Sequence, residues 1–311
     1  MTKYLKPPLT LEDQINLLES RGLIINDPIF AKHILSNISY YRLSSYFYNF
    51  WEDKSGHKFF ESSKFESIVN IYNFDSELRT ICFKVIEAIE VSVRAKLSVF
   101  LSHNYGPYWF DNENITINKI NHAENIKSIQ DLLNQKIKEQ FIKEHFKKYS
   151  DDSYPPSWKL LEITSFGLLS RLYGNISPSI KEKKAIARSI GLPNHEFLES
   201  WLKSISFIRN ICAHHSRLWY KKLSTPLIPN NLKGKWLSKI NLTNLKRDGL
   251  YINLCCIKYL VDNINPNNNF GSEILGLLEN YKYDVDLDKM FFPRNWDKDE
   301  LWVGIEKRFE I

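Results

Sequence analysis

Apolar residues recur at three- and four-residue intervals along most of the chain, and no stretch of useful length alternates apolar with polar, so the pattern predicts an all-α protein. Thr10, with Asp13 three residues on, is placed to cap a helix over 11–20 that stops at Arg21-Gly22, and Asp27-Pro28 opens the next. The helical pattern is strongest over 64–103. Phe65, Ile68, Val69 and Tyr72 share a face, Phe74-Asp75 marks a break or a new cap, and Leu78, Ile81, Val85, Ile86, Ile89, Val93 and Leu97 share the face that follows. The other side of this second helix carries Glu87, Glu90 and Arg94, and Glu90 and Arg94 have the i, i+4 spacing of an intrahelical ion pair.

Gly106-Pro107 ends that helix, and the Asn-rich stretch over 112–125 reads as a loop. A basic helix over 126–149 carries Lys127, Lys136, Lys138, Lys143, Lys147 and Lys148, either as a solvated face or as a phosphate-contacting one. Residues 151–157 are the best linker candidate, an amphipathic helix is expected over 178–190 (ending at Gly191), and apolar helices are expected over 158–173, 196–219 and 250–261. An Asn- and Pro-rich tail with short helical pieces then runs to Phe309. The chain therefore divides into an N-terminal helical segment over 1–60, a helical domain over 61–262 with the basic helix inserted in it, and a C-terminal tail over 263–311.

The helix over 196–219 carries the chemistry. Lys203, Ser206, Asn210, His214 and Arg217 step by three and four residues into one polar stripe, and Trp201, Ile205, Ile208 and Cys212 form the opposite, buried stripe. Arg209 precedes His214 by five residues, about 140° away on an ideal helix. It sits toward the apolar side, where a buried charge must be paired, and Glu87 or Glu90 is the obvious partner. A functional reading needs a bend, or a second copy of the chain facing the first across a two-fold axis, to bring Arg209 and His214 into one cleft. Histidine titrates near neutrality and can move the proton of an RNA 2′-hydroxyl or of the leaving 5′-oxygen, and arginine can neutralise charge developing on the phosphorus. His215 adds a second imidazole.

Composition narrows this only a little. The net charge of +6 leans toward a polyanionic partner. The 14% aromatic share, with Tyr40, Tyr41, Tyr46 and Tyr48 clustered around Arg42, allows either an aromatic core seam or a base-stacking surface. The four cysteines lack metal-ligand spacing and read as reduced, buried thiols. No leader or membrane-spanning run is recognisable, so a cytoplasmic protein that keeps clear of membranes is expected. A Gly-rich phosphate loop, HExxH and GxSxG are all absent, and no cofactor is expected.

Arg209-Asn210-Ile211-Cys212-Ala213-His214 resembles the RxxxxH motif of HEPN ribonucleases. Tyr40-Tyr41-Arg42-Leu43-Ser44-Ser45-Tyr46, Ile71 to Arg79 (IYNFDSELR) and Ile86 to Arg94 (IEAIEVSVR) resemble, in order, segments of the Abi-like (abortive infection, AbiD/AbiF) family, with Ser45 where glycine is common. The resemblance implies a HEPN-type helical bundle and an anti-phage role in which RNA is cleaved. For AbiF-like members it also implies association with a small structured noncoding RNA. Carried over by position, Arg209 and His214 are the catalytic pair with Asn210 in support. Lys203, Arg217, His215, Arg42, Lys143 and Lys147 are candidates to contact RNA, and Glu87, Glu90 and Arg94 to support the site. One such motif per chain implies a homodimer. The alternative is an inactive protein that holds a structured noncoding RNA.

Overall fold

The computed structural model describes residues 7–135, 139–230, 232, 235–243 and 245–303. Lys136, Lys138 and Phe309, read above as helical, lie outside them. Helices dominate, and the one sheet among the described residues is a two-stranded hairpin, so the fold is all-α as the periodicity predicts. The chain forms two compact units, Met1–Leu78 with Gly276–Asp286, and Arg79–Leu275 with Leu287–Ile311.

In the first unit α1 (Leu11–Ser20), α2 (Pro28–Ile38) and α3 (Tyr40–Ser44) pack in sequence. The Asp13 N–H donates to Thr10 Oγ1 at 3.1 Å while the Asp13 carboxylate accepts from the Thr10 N–H, the reciprocal cap that the sequence predicts. Asp27 caps α2 by accepting from the N–H groups of Ile29 and Phe30. Strands β1 (Trp51–Asp53) and β2 (Lys58–Phe59) pair antiparallel around a turn in which the Asp53 carboxylate accepts from Ser55 and Gly56. α4 (Phe65–Tyr105) then runs 41 residues without the break expected at Phe74-Asp75. Both residues are fully buried, and the Tyr46 hydroxyl donates to Asp75 Oδ2 at 2.6 Å. A buried carboxylate with a partner is compatible with a helix interior, so Asp75 belongs to the core and not to a cap. The tyrosine cluster divides accordingly: Tyr46 is core, Tyr40 accepts from Arg21, and Tyr41 is 89% exposed.

In the second unit Val85, Ile86, Ile89, Val93 and Leu97 of α4 are buried, as their spacing predicts. The helix stops before Gly106, whose φ of 79° favours a residue without a Cβ. α5 (Lys119–Leu133) begins inside the stretch expected to be loop, because Asn118 accepts from the N–H groups of Ile120 and Asn121 and caps it. The basic region is two helices, α5 and α6 (Gln140–Lys148), in place of one over 126–149. The apolar run over 158–173 also divides, into α7 (Ser157–Ile163) and α8 (Phe166–Asn175), since Ser165 accepts the Leu168 N–H and starts a new helix. α9 (Lys181–Arg188), α10 (His195–Ala213), α11 (Lys239–Thr243), α12 (Leu250–Ile264) and α13 (Phe270–Asn280) follow.

α10 is central to this unit and packs on α8, α9 and α12. Trp201, Ile205 and Ile208 have no exposed surface and Cys212 is 5% exposed, so the predicted buried stripe is real. Each fully buried Ile or Trp of this kind contributes about 1.5–3 kcal/mol through apolar surface removed from water. Trp201 stacks on Trp236 at 5.7 Å between ring centroids and donates its indole N–H to Leu227 O at 2.7 Å. The segment after α10 is pinned further along by Asp299, 1% exposed, which accepts from Ser238 N–H, Asn241 Nδ2 and the Tyr251 hydroxyl, each at 2.8 Å. No described helix is long and apolar enough to cross a membrane.

Candidate functional site

α10 ends at Ala213 and not at Trp219. His214 is the cap, with φ −93° and ψ 10°, and its N–H donates to Asn210 O at 3.0 Å. His215 follows in the left-handed region at φ 53°. Its N–H donates to Cys212 O at 3.1 Å, and the Ser216 N–H donates to Ile211 O at 2.9 Å. This pair of bonds is the Schellman closure, which usually places glycine where His215 stands; histidine is among the few other residues that visit this region readily. The polar stripe of α10 therefore runs from Lys203 only to His214. Arg217 lies past the helix, which corrects its place in the predicted stripe.

Arg209 lies one turn before the cap. Its Nε sits 3.5 Å from Glu90 Oε2, and its guanidinium carbon lies 5.6 Å from the ring centroid of Phe83. Glu90 is buried, and its other oxygen, Oε1, accepts from Arg94 Nη2 at 2.5 Å. Arg94 Nη2 also donates to Thr164 O at 2.9 Å, while Arg94 Nε is buried and has no hydrogen-bond partner among the described residues. One carboxylate thus serves two guanidinium groups. Of the two partners expected for Arg209 the structure places Glu90 there, and Glu87 is exposed. The pairing uses the Nε edge of Arg209, and Arg209 also lines the cavity beside it.

That cavity has a volume of about 590 Å³, and Glu90, Arg94, Arg171 and Arg209 line it. Asp131 and Glu162 also line it, so three carboxylates balance three guanidinium groups. A second cavity of about 520 Å³ lies along the same helix, with Lys203 and Ser206 on its wall, and Arg171 lines both. Sequence reasoning missed Arg171. It is a lone cation in an apolar run, held by Asn125 Oδ1 and Ser128 Oγ at 3.1 Å each from α5, and nothing in the run itself points to that neighbour.

The structure therefore gathers Glu90, Arg94 and Arg209 at one cavity and puts Lys203 on the next. Asn210, His214 and His215 are exposed at the end of α10, with Arg217 part-exposed just beyond, and none of them lines either cavity. Lys143 and Lys147 are exposed on α6, and Arg42 is exposed on α3 in the first unit. Among the described residues no group of three His, Cys, Asp or Glu could hold a metal ion.

The profile of a family described as Abi-like protein matches residues 33–220, more than half of the chain. No curated protein and no solved structure matches it.

Proposed function

Since the chain belongs to the Abi-like protein family, we propose that it acts in abortive-infection defence as a metal-independent endoribonuclease of the HEPN type, in the AbiD/AbiF group. The observation that carries this reading is the held arginine. Arg209 is paired through Nε with Glu90 and lines a cavity, five residues before an exposed histidine at a helix end. Arginine in that setting suits a phosphate whose charge grows in the transition state, because a guanidinium offers two parallel N–H donors.

In the reaction the RNA 2′-oxygen forms a bond to phosphorus and the bond from phosphorus to the 5′-oxygen breaks. One histidine takes the 2′-hydroxyl proton, and a second gives a proton to the departing 5′-oxygen. The products carry a 2′,3′-cyclic phosphate and a 5′-hydroxyl. In this reading the histidine that works with Arg209 comes from a second copy, which fits His214 lying outside its own chain's Arg209 cavity. Asn210, one turn before His214, supports the imidazole or the RNA. A small structured noncoding RNA, held on exposed lysines such as Lys143 and Lys147, is the expected regulatory partner.

The test is cleavage of RNA by purified chain. Arg209→Ala and His214→Ala should each lower the rate by on the order of 100-fold or more, and a substrate lacking 2′-hydroxyl groups should survive. Cleavage unchanged in either variant sinks the reading. Arg209→Ala should cost little stability, because Arg94 still engages Glu90 and Arg209 is 31% exposed.

A further inference from the structure

The cavity of about 520 Å³ between α5, α8 and α10 is used by nothing above. Its volume is large enough for one nucleoside, and polar side chains are built into a largely apolar wall. Asn125, Ser170 and Asn175 on it are 3%, 9% and 7% exposed. Asn175 is locked by mutual bonds with Asn118: its Nδ2 donates to Asn118 O at 2.9 Å and its Oδ1 accepts the Asn118 N–H at 3.1 Å. Two carboxylates line the cavity, and their pairing differs. Glu199 is committed to Lys183, which lies 3.2 Å away with its side chain wholly buried and also donates to Gly174 O and Ile176 O. Burial pulls the Lys183 ammonium below its usual range, and Glu199 opposes that shift. Glu124 is exposed at the rim and carries no ion pair among the described residues. Asn121, one turn before it on α5, and Lys203 on α10 supply donors at the same cavity.

A carboxylate that lines a cavity together with amide and ammonium donors suits a ligand with adjacent N–H groups next to a carbonyl. Among the bases only guanine offers this edge, with N1–H and N2–H₂ beside O6. Adenine has an acceptor at N1, cytosine offers a single amino group beside an acceptor, and uracil flanks its one N–H with two carbonyls that a carboxylate repels. We propose that this cavity binds a guanine base, with Glu124 accepting from N1–H and N2–H₂ and with Asn121 and Lys203 donating to O6. Arg171 lines both cavities, and Lys203, Ser206 and Arg209 follow one another at three-residue steps along α10. A guanosine seated here would pass its phosphate to Arg171, toward the cavity of Arg209. The inference deepens the ribonuclease reading and rests on it for the RNA source of the base.

Binding separates the two. The full chain carrying His214→Ala, so that substrate survives, is titrated calorimetrically with GMP, AMP, CMP and UMP, and with an oligoadenylate heptamer with or without one central guanosine. Guanine should bind on the order of tenfold tighter than the other bases, because a site built on hydrogen bonds leaves its polar groups unpaired with the wrong ligand. Glu124→Gln should abolish that preference with an unchanged melting temperature. A preference seen with GMP as well as with the heptamer means the base alone suffices, and one confined to the heptamer means the source is RNA; both support the proposal. Equal binding of all four bases, no binding of any, or a preference that survives Glu124→Gln overturns it. Loss of the guanine preference with cleavage still dependent on Arg209 and His214 leaves the ribonuclease reading standing alone, and the converse result leaves the pocket standing alone.

Discussion

Glu90 faces two guanidinium groups with one carboxylate, so its removal leaves Arg94 and Arg209 without their counter-charge. Glu90→Ala should lower the unfolding free energy by about 3 kcal/mol, the lower end of the range for breaking a buried ion pair, since Arg209 reaches solvent. A denaturant melt measures this, and a loss under about 1 kcal/mol would mean that the arginines are held by other contacts. His215 gives a sharper backbone test. At φ 53° a β-branched side chain crowds its own carbonyl, so His215→Val should cost about 1–2 kcal/mol more than His215→Gly. Equal melting temperatures for the two variants would show that the helix end is not held in this conformation. The pairing of Arg209 with a carboxylate of α4 is readable in the sequence because an arginine on the apolar side of a helix needs a counter-charge, although the side chain proves only partly buried. Arg171 was not readable, since its partners come from a helix more than 40 positions earlier.

At the scale of elements the sequence misled wherever a polar residue inside an apolar run had a hidden partner, or where a helix ended without glycine. Asp75 looked like a cap and is a core acceptor for Tyr46. Tyr46→Phe should therefore lower stability by about 1–3 kcal/mol, the cost of taking one partner from a buried polar group, with α4 still unbroken. Helical content by circular dichroism together with the melt checks both halves of that statement. α10 was read six residues too long because the pattern stays compatible with a helix through Trp219 and histidine takes the place of the usual glycine. Ser165 is the opposite lesson: a serine followed three residues on by a satisfied N–H is a helix start that local reading could have found.

For the whole molecule, the absence of β periodicity and the sum of the motifs made the helical class and the family legible. The cavities were not, because each is lined from three or more elements and no single segment encodes it. The net charge of +6 proved a poor guide to the site, where arginines and carboxylates balance at the Arg209 cavity. If the working pair is shared between copies, inactive Arg209→Ala and His214→Ala chains mixed and allowed to exchange should regain a fraction of wild-type cleavage. A mixture as inactive as its parts would place Arg209 and His214 of one chain in the same site.

The closure of α10 has one more consequence. Because the Ser216 N–H is tied to Ile211 O, its exchange with deuterated solvent is gated by opening of the very turn that carries His214 and His215. That single amide is a built-in reporter: RNA bound at the histidines slows its exchange, while RNA bound only at α6 leaves it unchanged.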